Sequence, residues 1–563
     1  RVNVTPSSPH WSPDGRQIAF VSVIPTNDKW TIEMPEAPEG AEWSKTPRIV
    51  DRLHYRQDKV GFRDNGFTHL FVVPAVSGTA RQLTEGDWNV GAQFDGLFGG
   101  AGLSWMPDSK TIVFDGWNNT DGDSIYRRSH IYSIDTVSKD IRQLTSELGA
   151  WSDPVVSNDG EKIAFTGYPA SDATYEMGRV HVMNADGSKM RMLSTEFDQP
   201  ASTLFWANNG QGIYFAAQDS GYMNVYYMAL NGNVRAVTQG LQTVTLSSVN
   251  RNAGIGVGIL ASYYQPGDVH SFSLSDPGEP ARLTAVNEDL LATKDLGEHD
   301  EIWYEASDGN RAHGWIVKPP HFDPEQKYPL LMEIHGGPFG MYSGRFNFQY
   351  QVYAANGFVV LYTNPRGSTG YGEAFSQAID HAYPSVDYLD LIGGVDATIA
   401  KGFIDEKRLY VGGCSGGGVL SSWVIGHTDR FAAAAVRCPV SNWLSMAGTT
   451  DIPGFTFSFF QKPFWEDPSD WLKYSPLMYV GNVKTPTAVM TGEQDMRTPM
   501  AQSEEYYGAL KMRGVPSRLI RFNDQYHGTG TKPSNNMRTM LYMMSWYNSY
   551  TLDGEVVKEG NNE

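Results

Sequence analysis

Cysteine is nearly absent: Cys414 and Cys438 are the only two in 563 residues. Two cysteines cannot build a disulfide framework or a cysteine-rich zinc site. Both read as buried free thiols, which behave as small apolar groups. Histidine offers no metal pattern either, because no His-x-x-x-His or Glu-x-x-His pairing is present. No cofactor and no metal is expected. Basic residues are scarce, with 44 Lys and Arg against 63 Asp and Glu and a net charge of −19. That surface repels phosphate backbones, so nucleic acid is not an expected partner. No apolar run approaches the roughly 18 residues of a membrane span. The chain opens on Arg1-Val2-Asn3-Val4 with neither Met nor a signal pattern, which reads as a processed or truncated end. A soluble protein is expected, its compartment left open between cytoplasmic and periplasmic or secreted.

What is present excludes disorder: 40% of residues are apolar and 19% charged. The length allows more than two ordinary domains or two large ones. Glycine (58 residues) and aromatics (12%) suit a turn-rich β region beside a mixed one.

The N-terminal half repeats itself. A strand-opening phrase recurs as WSPDGRQIAF from Trp11, WMPDSKTIVF from Trp105, VSNDGEKIAF from Val156 and WANNGQGIYF from Trp206, with a weaker copy from Val249. A second phrase follows each, closing on Thr84, Thr145, Ser194, Thr238 and Thr284. Asp-Gly or Asn-Gly makes a tight turn, and the alternating run after it reads as a half-buried strand. Four short strands per unit of roughly 40–50 residues is the signature of a β-propeller blade. Five units are visible over residues 1–286, the first carrying an insertion near 25–66.

The period changes after Thr284. Residues 287–300 read as a polar linker, 301–553 as one domain and 554–563 as a polar tail. Strands are expected at 312–318, 329–335, 358–363, 408–412, 432–437, 487–491 and 517–522. Helices are expected at 385–401, 417–427, 500–513 and 535–547. That alternation predicts a mostly parallel sheet covered by helices on both faces.

Within this half, Gly413-Cys414-Ser415-Gly416-Gly417 is a G-x-S-x-G. Alone it is a weak signal, but an apolar strand precedes it and a helical stretch follows, the setting of a nucleophile elbow. A serine hydroxyl needs a base. In this architecture the acid and then the histidine follow the serine, each in a loop after a strand. Asp495 follows the run 487–490, and His527 follows 518–522. Asp524 is the rival acid, three residues from His527; Glu493, Glu504 and Glu505 read as surface carboxylates. His527 would take the Ser415 proton and Asp495 would hold the imidazole. The oxyanion donors are expected at the backbone N–H of Gly416 and, from His335-Gly336-Gly337-Pro338, of Gly337. Removing one such donor costs about 3 kcal/mol of barrier lowering.

These residues resemble the prolyl oligopeptidase family of serine peptidases. HGGP at 335–338, NPRGSTGYGEAF at 364–375, DLIGGVDATI at 390–399, GGCSGGG at 412–418, CPVSNW at 438–443, GEQDMRTP at 492–499 and YHG at 526–528 carry the resemblance. Their wording is closest to the acylaminoacyl-peptidase-like branch, which also holds dipeptidyl peptidases. His335 stands where the prolyl and dipeptidyl-IV-type branches have a tyrosine, which favours two backbone donors here.

The resemblance implies an N-terminal β-propeller of seven blades, five of them visible, over a C-terminal α/β-hydrolase domain. The propeller would cap the active site and admit short peptides only. It implies that Arg497 lies near the site and that Trp443 and the aromatics of 455–460, Phe459 among them, line a specificity pocket. The plainer reading of Trp443 and Phe459 is core packing. Exopeptidase members recognise a free amino end with charged groups, and Glu33, Glu36, Glu39, Glu42 and Asp95 are among the acids available.

The expected function is that of a serine peptidase cutting short peptides near the N-terminus, of acylaminoacyl- or dipeptidyl-peptidase type. Self-association is left open. The competing readings are an esterase or amidase with the same machinery, and a catalytically silent propeller scaffold.

Overall fold

The structure is a computed structural model and describes residues 6–26, 30, 32–63, 65–92, 100–275 and 278–554. The chain opening, Asp95 and the tail from 555 lie outside the described residues.

The repeated phrases become antiparallel sheets. One joins Ser7–Trp11, Gln17–Pro25, Gly66–Pro74 and Arg81–Gln82. The next is built on Thr111–Trp117, and a third on Gly149–Val156, Lys162–Pro169, Arg179–Asn184 and Arg191–Met192. Two further meanders, Ala201–Ala236 and Thr243–Arg282, share one sheet through a single parallel pair, Met223 with Thr243.

The first phrase works by its turn. Gly15, Gly160 and Gly210 have φ of 69°, 75° and 65°, and Ser109 takes the same position at 55°. Glycine is favoured there because a Cβ crowds the left-handed region. The second phrase works by its last hydroxyl. Thr84, Thr145, Ser194, Thr238 and Thr284 accept the strand N–H groups of Leu70, Ile131, Val180, Val225 and Val269 at 2.9 to 3.0 Å. Each hydroxyl supplies an acceptor to a strand N–H where the next strand has stopped.

The C-terminal half is an eight-stranded sheet. Its strands run in the order His299–Glu305, Arg311–Val317, Val359–Asn364, Tyr328–Ile334, Ile404–Cys414, Ala433–Arg437, Thr487–Gly492, Ser517–Phe522. The first two are antiparallel additions, and from Val359–Asn364 onward all neighbours are parallel. Central strands buried on both faces, such as Leu330-Leu331-Met332 and Ala433–Val436, are near-continuous apolar runs. Two apolar layers, one on each face, complete the domain.

The stretch 287–300 is less of a linker than its polarity predicts. It holds a short helix, Glu288–Leu291, and the start of the strand His299–Glu305. In that strand Ile302 and Tyr304 face inward, alternating with exposed Glu301, Trp303 and Glu305. Among the described residues no helix is long and apolar enough to cross a membrane.

Candidate active site

The strand Ile404–Cys414 lies at the middle of the sheet and ends directly before Ser415. Ser415 turns the chain with φ 61° and ψ −121°, and the helix Gly416–His427 begins at once. This is strained backbone for a residue with a side chain, a feature that accumulates at functional positions. Its N–H donates to Arg437 O at 3.2 Å and its carbonyl accepts from Val419 N at 2.9 Å. The flanking glycines give clearance. A Cβ on Gly417 would lie 2.1 Å from Ile334 O, and one on Gly413 2.6 Å from Gly417 O.

The loop after Tyr328–Ile334 folds over this elbow. A Cβ on Gly336 would touch Ser415 Cβ at 3.3 Å, and one on Gly416 would sit 2.8 Å from Gly337 N. The amides of Gly337 and Gly416 are therefore neighbours beside the serine. His335 braces the loop, with Nδ1 2.7 Å from Gly336 O and Nε2 2.9 Å from Ser368 Oγ. Burial pushes its pKa down, so it is a neutral brace. Ser368 belongs to a second loop, pinned by Arg366. The Arg366 guanidinium forks onto Asp390 at 2.9 and 2.8 Å, and Asp390 also accepts the Arg366 N–H at 2.7 Å. Bidentate charge-assisted pairs fix geometry as well as adding energy. The phrases at 364–375 and 390–399 are thus the scaffold of the loop that carries Gly337.

Asp495 is 5% exposed in the loop after Thr487–Gly492. Its Oδ1 accepts the N–H groups of Arg497 (3.0 Å) and Thr498 (2.8 Å), and its Oδ2 the Thr498 hydroxyl (3.1 Å). Oδ2 also takes His527 Nδ1 at 2.8 Å. Burial works to lower the His527 pKa, but the Asp495 charge and hydrogen bond outweigh it, and the imidazole is raised to about 9. Asp524 is exposed in a turn with φ 54° and takes no part. Ser415 and His527 face one cavity, and Ser415 Oγ is not hydrogen-bonded to the imidazole in this structure.

The cavity measures about 420 Å³. Ser415, Gly416, Gly337 and His527 line it, together with Tyr126, Arg127, Tyr175 and Glu176 of the N-terminal half. Trp443 and Arg497 line it. Phe459 does not. It is 1% exposed and packs one layer back, against Trp443, Phe339 and Tyr383. It closes the short helix Pro453–Ser458 facing the core, while Phe455 takes the wall. Arg497 spends its guanidinium on Asp451, Nε to Oδ1 at 2.7 Å. Glu33, Glu36, Glu39 and Glu42 do not line the cavity; Glu176 does. Sequence reasoning missed Glu176, Tyr383 and Thr498. Only Thr498 left a signal, a hydroxyl three residues after the acid.

The two thiols lie against each other, Sγ to Sγ 2.7 Å, unbridged. The hydrogen bond from Cys414 pulls the Cys438 pKa down. Among the described residues, Cys438, Asp495 and His527 form the one set whose ligand atoms, within 4.8 Å of one another, could hold a metal ion. Two of the three are already engaged with each other.

The pattern that defines the "Prolyl oligopeptidase family" matches residues 344–553, and that of the "Dipeptidyl peptidase IV (DPP IV) N-terminal region" matches 41–168. The "Uncharacterized peptidase YuxL" of Bacillus subtilis (strain 168) is 30% identical, covering 97% of this chain and 83% of its own length. A dipeptidyl-peptidase 5 of Porphyromonas gingivalis is 26% identical over 95% of this chain and 78% of its own. The fold is that of the uncomplexed Pyrococcus horikoshii acylaminoacyl peptidase, with a TM-score of 0.79 at 21% identity, covering 99% of this chain and 83% of that one. Both halves are thereby assigned: a propeller-type N-terminal region and an α/β-hydrolase domain.

Proposed function

The chain belongs to the prolyl oligopeptidase family of serine peptidases, and from that premise we propose that it cleaves short peptides near their N-terminus through an acyl-enzyme on Ser415. The observation that carries the reading is the part-buried Asp495–His527 hydrogen bond, 2.8 Å long, beside the cavity that Ser415 and His527 share.

The chemistry follows from the charges. Ser415 Oγ attacks the scissile carbonyl while His527 Nε2 takes its proton. The carbonyl oxygen, now negative, accepts from the Gly416 and Gly337 N–H groups. His527 returns the proton to the leaving amine, and water releases the acyl group by the same route. Asp495 keeps Nδ1 protonated and stabilises the imidazolium. The Ser415–His527 hydrogen bond forms as substrate fills the site; such contacts are commonly loose in empty enzymes.

The antiparallel units are five blades of a larger ring roofing the cavity, with 1–286 as roof, 287–300 as connection and 301–553 as the hydrolase. Tyr126, Arg127, Tyr175 and Glu176 on the cavity wall support a roof that admits peptides and excludes folded proteins. No nucleic-acid or membrane partner is proposed.

The test is Ser415→Ala on a panel of acetylated, free dipeptidyl and internal-peptide chromogenic substrates, with matched esters. Loss of turnover by on the order of 10⁶ with the fold intact is the expected result. Near-normal cleavage by the variant would end this reading, and ester hydrolysis without peptide hydrolysis would redirect it.

A further inference from the structure

A hairpin from the N-terminal half reaches the loops that carry Asp495 and His527. Its two-residue strands, Arg56–Gln57 and Gly61–Phe62, pair in register, and Val60 N closes the turn on Gln57 O at 3.1 Å. Asp58 sits in that turn and is 8% exposed. Its Oδ1 accepts two backbone N–H groups at once, from Met496 at 3.2 Å and from His527 at 3.1 Å. Its own N–H donates to Asp451 Oδ2 at 2.7 Å, and Asp451 holds Arg497. Arg56 adds a hydrogen bond to Thr449 O.

The segment around this hairpin is otherwise a surface structure. Across residues 32–63, His54 and Asp58 are the only fully buried side chains among those described. Such a segment contributes little core, yet it inserts one carboxylate beneath the loops bearing the acid and the imidazole. A shared anionic acceptor ties two amides together more firmly than neutral partners do.

We propose that Asp58 is a positioning residue for catalysis, a carboxylate supplied by the N-terminal half that clamps the Asp495 loop to the His527 loop. The proposal rests on the reading of Ser415, Asp495 and His527 given above. The groups facing the imidazole are Asp495, Asp58 and the Cys438 thiol, with Arg497 and Asp451 next to them. Asp58 therefore has two effects. Its hydrogen bonds set where the ring lies, and its charge favours the imidazolium.

The test uses the full chain with Asp58→Asn, Asp58→Ala and Ser415→Ala, and a chromogenic peptide that the wild type cleaves. In Asp58→Ala, kcat is expected to fall on the order of 10- to 100-fold with little change in KM, the usual cost of a small misplacement. In Asp58→Asn an acceptor remains but the charge is gone. The acid limb of kcat/KM should then move to lower pH by roughly half a unit. Thermal unfolding checks that both variants fold; if Asp58→Ala does not, the limb of Asp58→Asn decides. A wild-type kcat and an unmoved limb in folded variants would overturn the proposal, as would a loss of stability alone. If Ser415→Ala is inactive while both Asp58 variants match wild type, only this inference fails. Activity in Ser415→Ala would instead remove the catalytic reading beneath it.

Discussion

His527 is half-buried and yet holds its proton more firmly than a free imidazole, because the Asp495 carboxylate outweighs the cost of desolvation. In the proposed mechanism it is the base and must be neutral. The acid limb of kcat/KM is therefore expected above the ordinary histidine value of about 6.5 and toward 9. The sign for stability follows from the same shift. The folded pKa is raised, so the stabilisation is complete below about 6.5 and fades as pH rises toward 9. Asp495→Asn should cancel both effects and lower kcat on the order of 10⁴; a pH–rate profile read with urea unfolding at two pH values checks this.

Ser415 predicts differently. Its φ of 61° with ψ of −121° is a glycine conformation. Ser415→Gly should be more stable than Ser415→Ala by about 1–2 kcal/mol, both being inactive. Equal midpoints in urea would show that the elbow stores no strain. At this scale chain order and strand exits pointed to Ser415, Asp495 and His527, and the structure bonds Asp495 to His527 and sets Ser415 and His527 on one cavity. Asp58 was not legible, since its partners lie more than 390 residues away and no local pattern marks a turn that will dock there. Phe459 was not either, because it caps a six-residue helix, too short for periodicity to say which of Phe455, Phe457 and Phe459 faces the cavity.

Among the elements, the hydroxyl that ends each second phrase accounts for a repeat visible in the letters alone. Thr145 gives Ile131 N–H its acceptor at 3.0 Å and also meets His130 Nδ1 at 3.0 Å, both buried. Thr145→Val is expected to cost about 1–3 kcal/mol, the penalty of an unsatisfied buried donor, whereas Thr145→Ser should stay near wild type. Thermal midpoints of the two variants separate this role from simple packing. Strands of the sheet were legible as apolar runs, within a few residues of their observed ends. The strand His299–Glu305 was hidden because an edge strand with one wet face, rich in Asp and Glu, looks like a linker.

For the molecule as a whole, the two halves are joined by polar contacts as well as by aromatic ones such as Tyr175 on Phe339, ring centroids 4.8 Å apart. Arg179 bridges Asp198 at 3.0 Å and Glu373 at 2.8 Å, Thr174 N donates to Asp380 at 2.7 Å, and Ser220 N donates to Gly370 O at 2.7 Å. Polar inter-domain contacts of this kind leave relative domain motion as the default. If entry is controlled there, Arg179→Ala should raise cleavage of longer peptides severalfold relative to a dipeptide substrate, and added salt should do the same to the wild type by screening the pair. A ladder of peptides of increasing length, resolved by chromatography, reads the ratio; an unchanged ratio would assign selection to the cavity itself.

The hairpin turn at Asp58 has one more consequence, in time rather than space. Asp58 is translated 438 residues before Met496 and 469 before His527, whose amides it receives. A nascent chain that stops short of His527 therefore lacks both the imidazole and the amide that donates to Asp58, and the two loops cannot be joined before then.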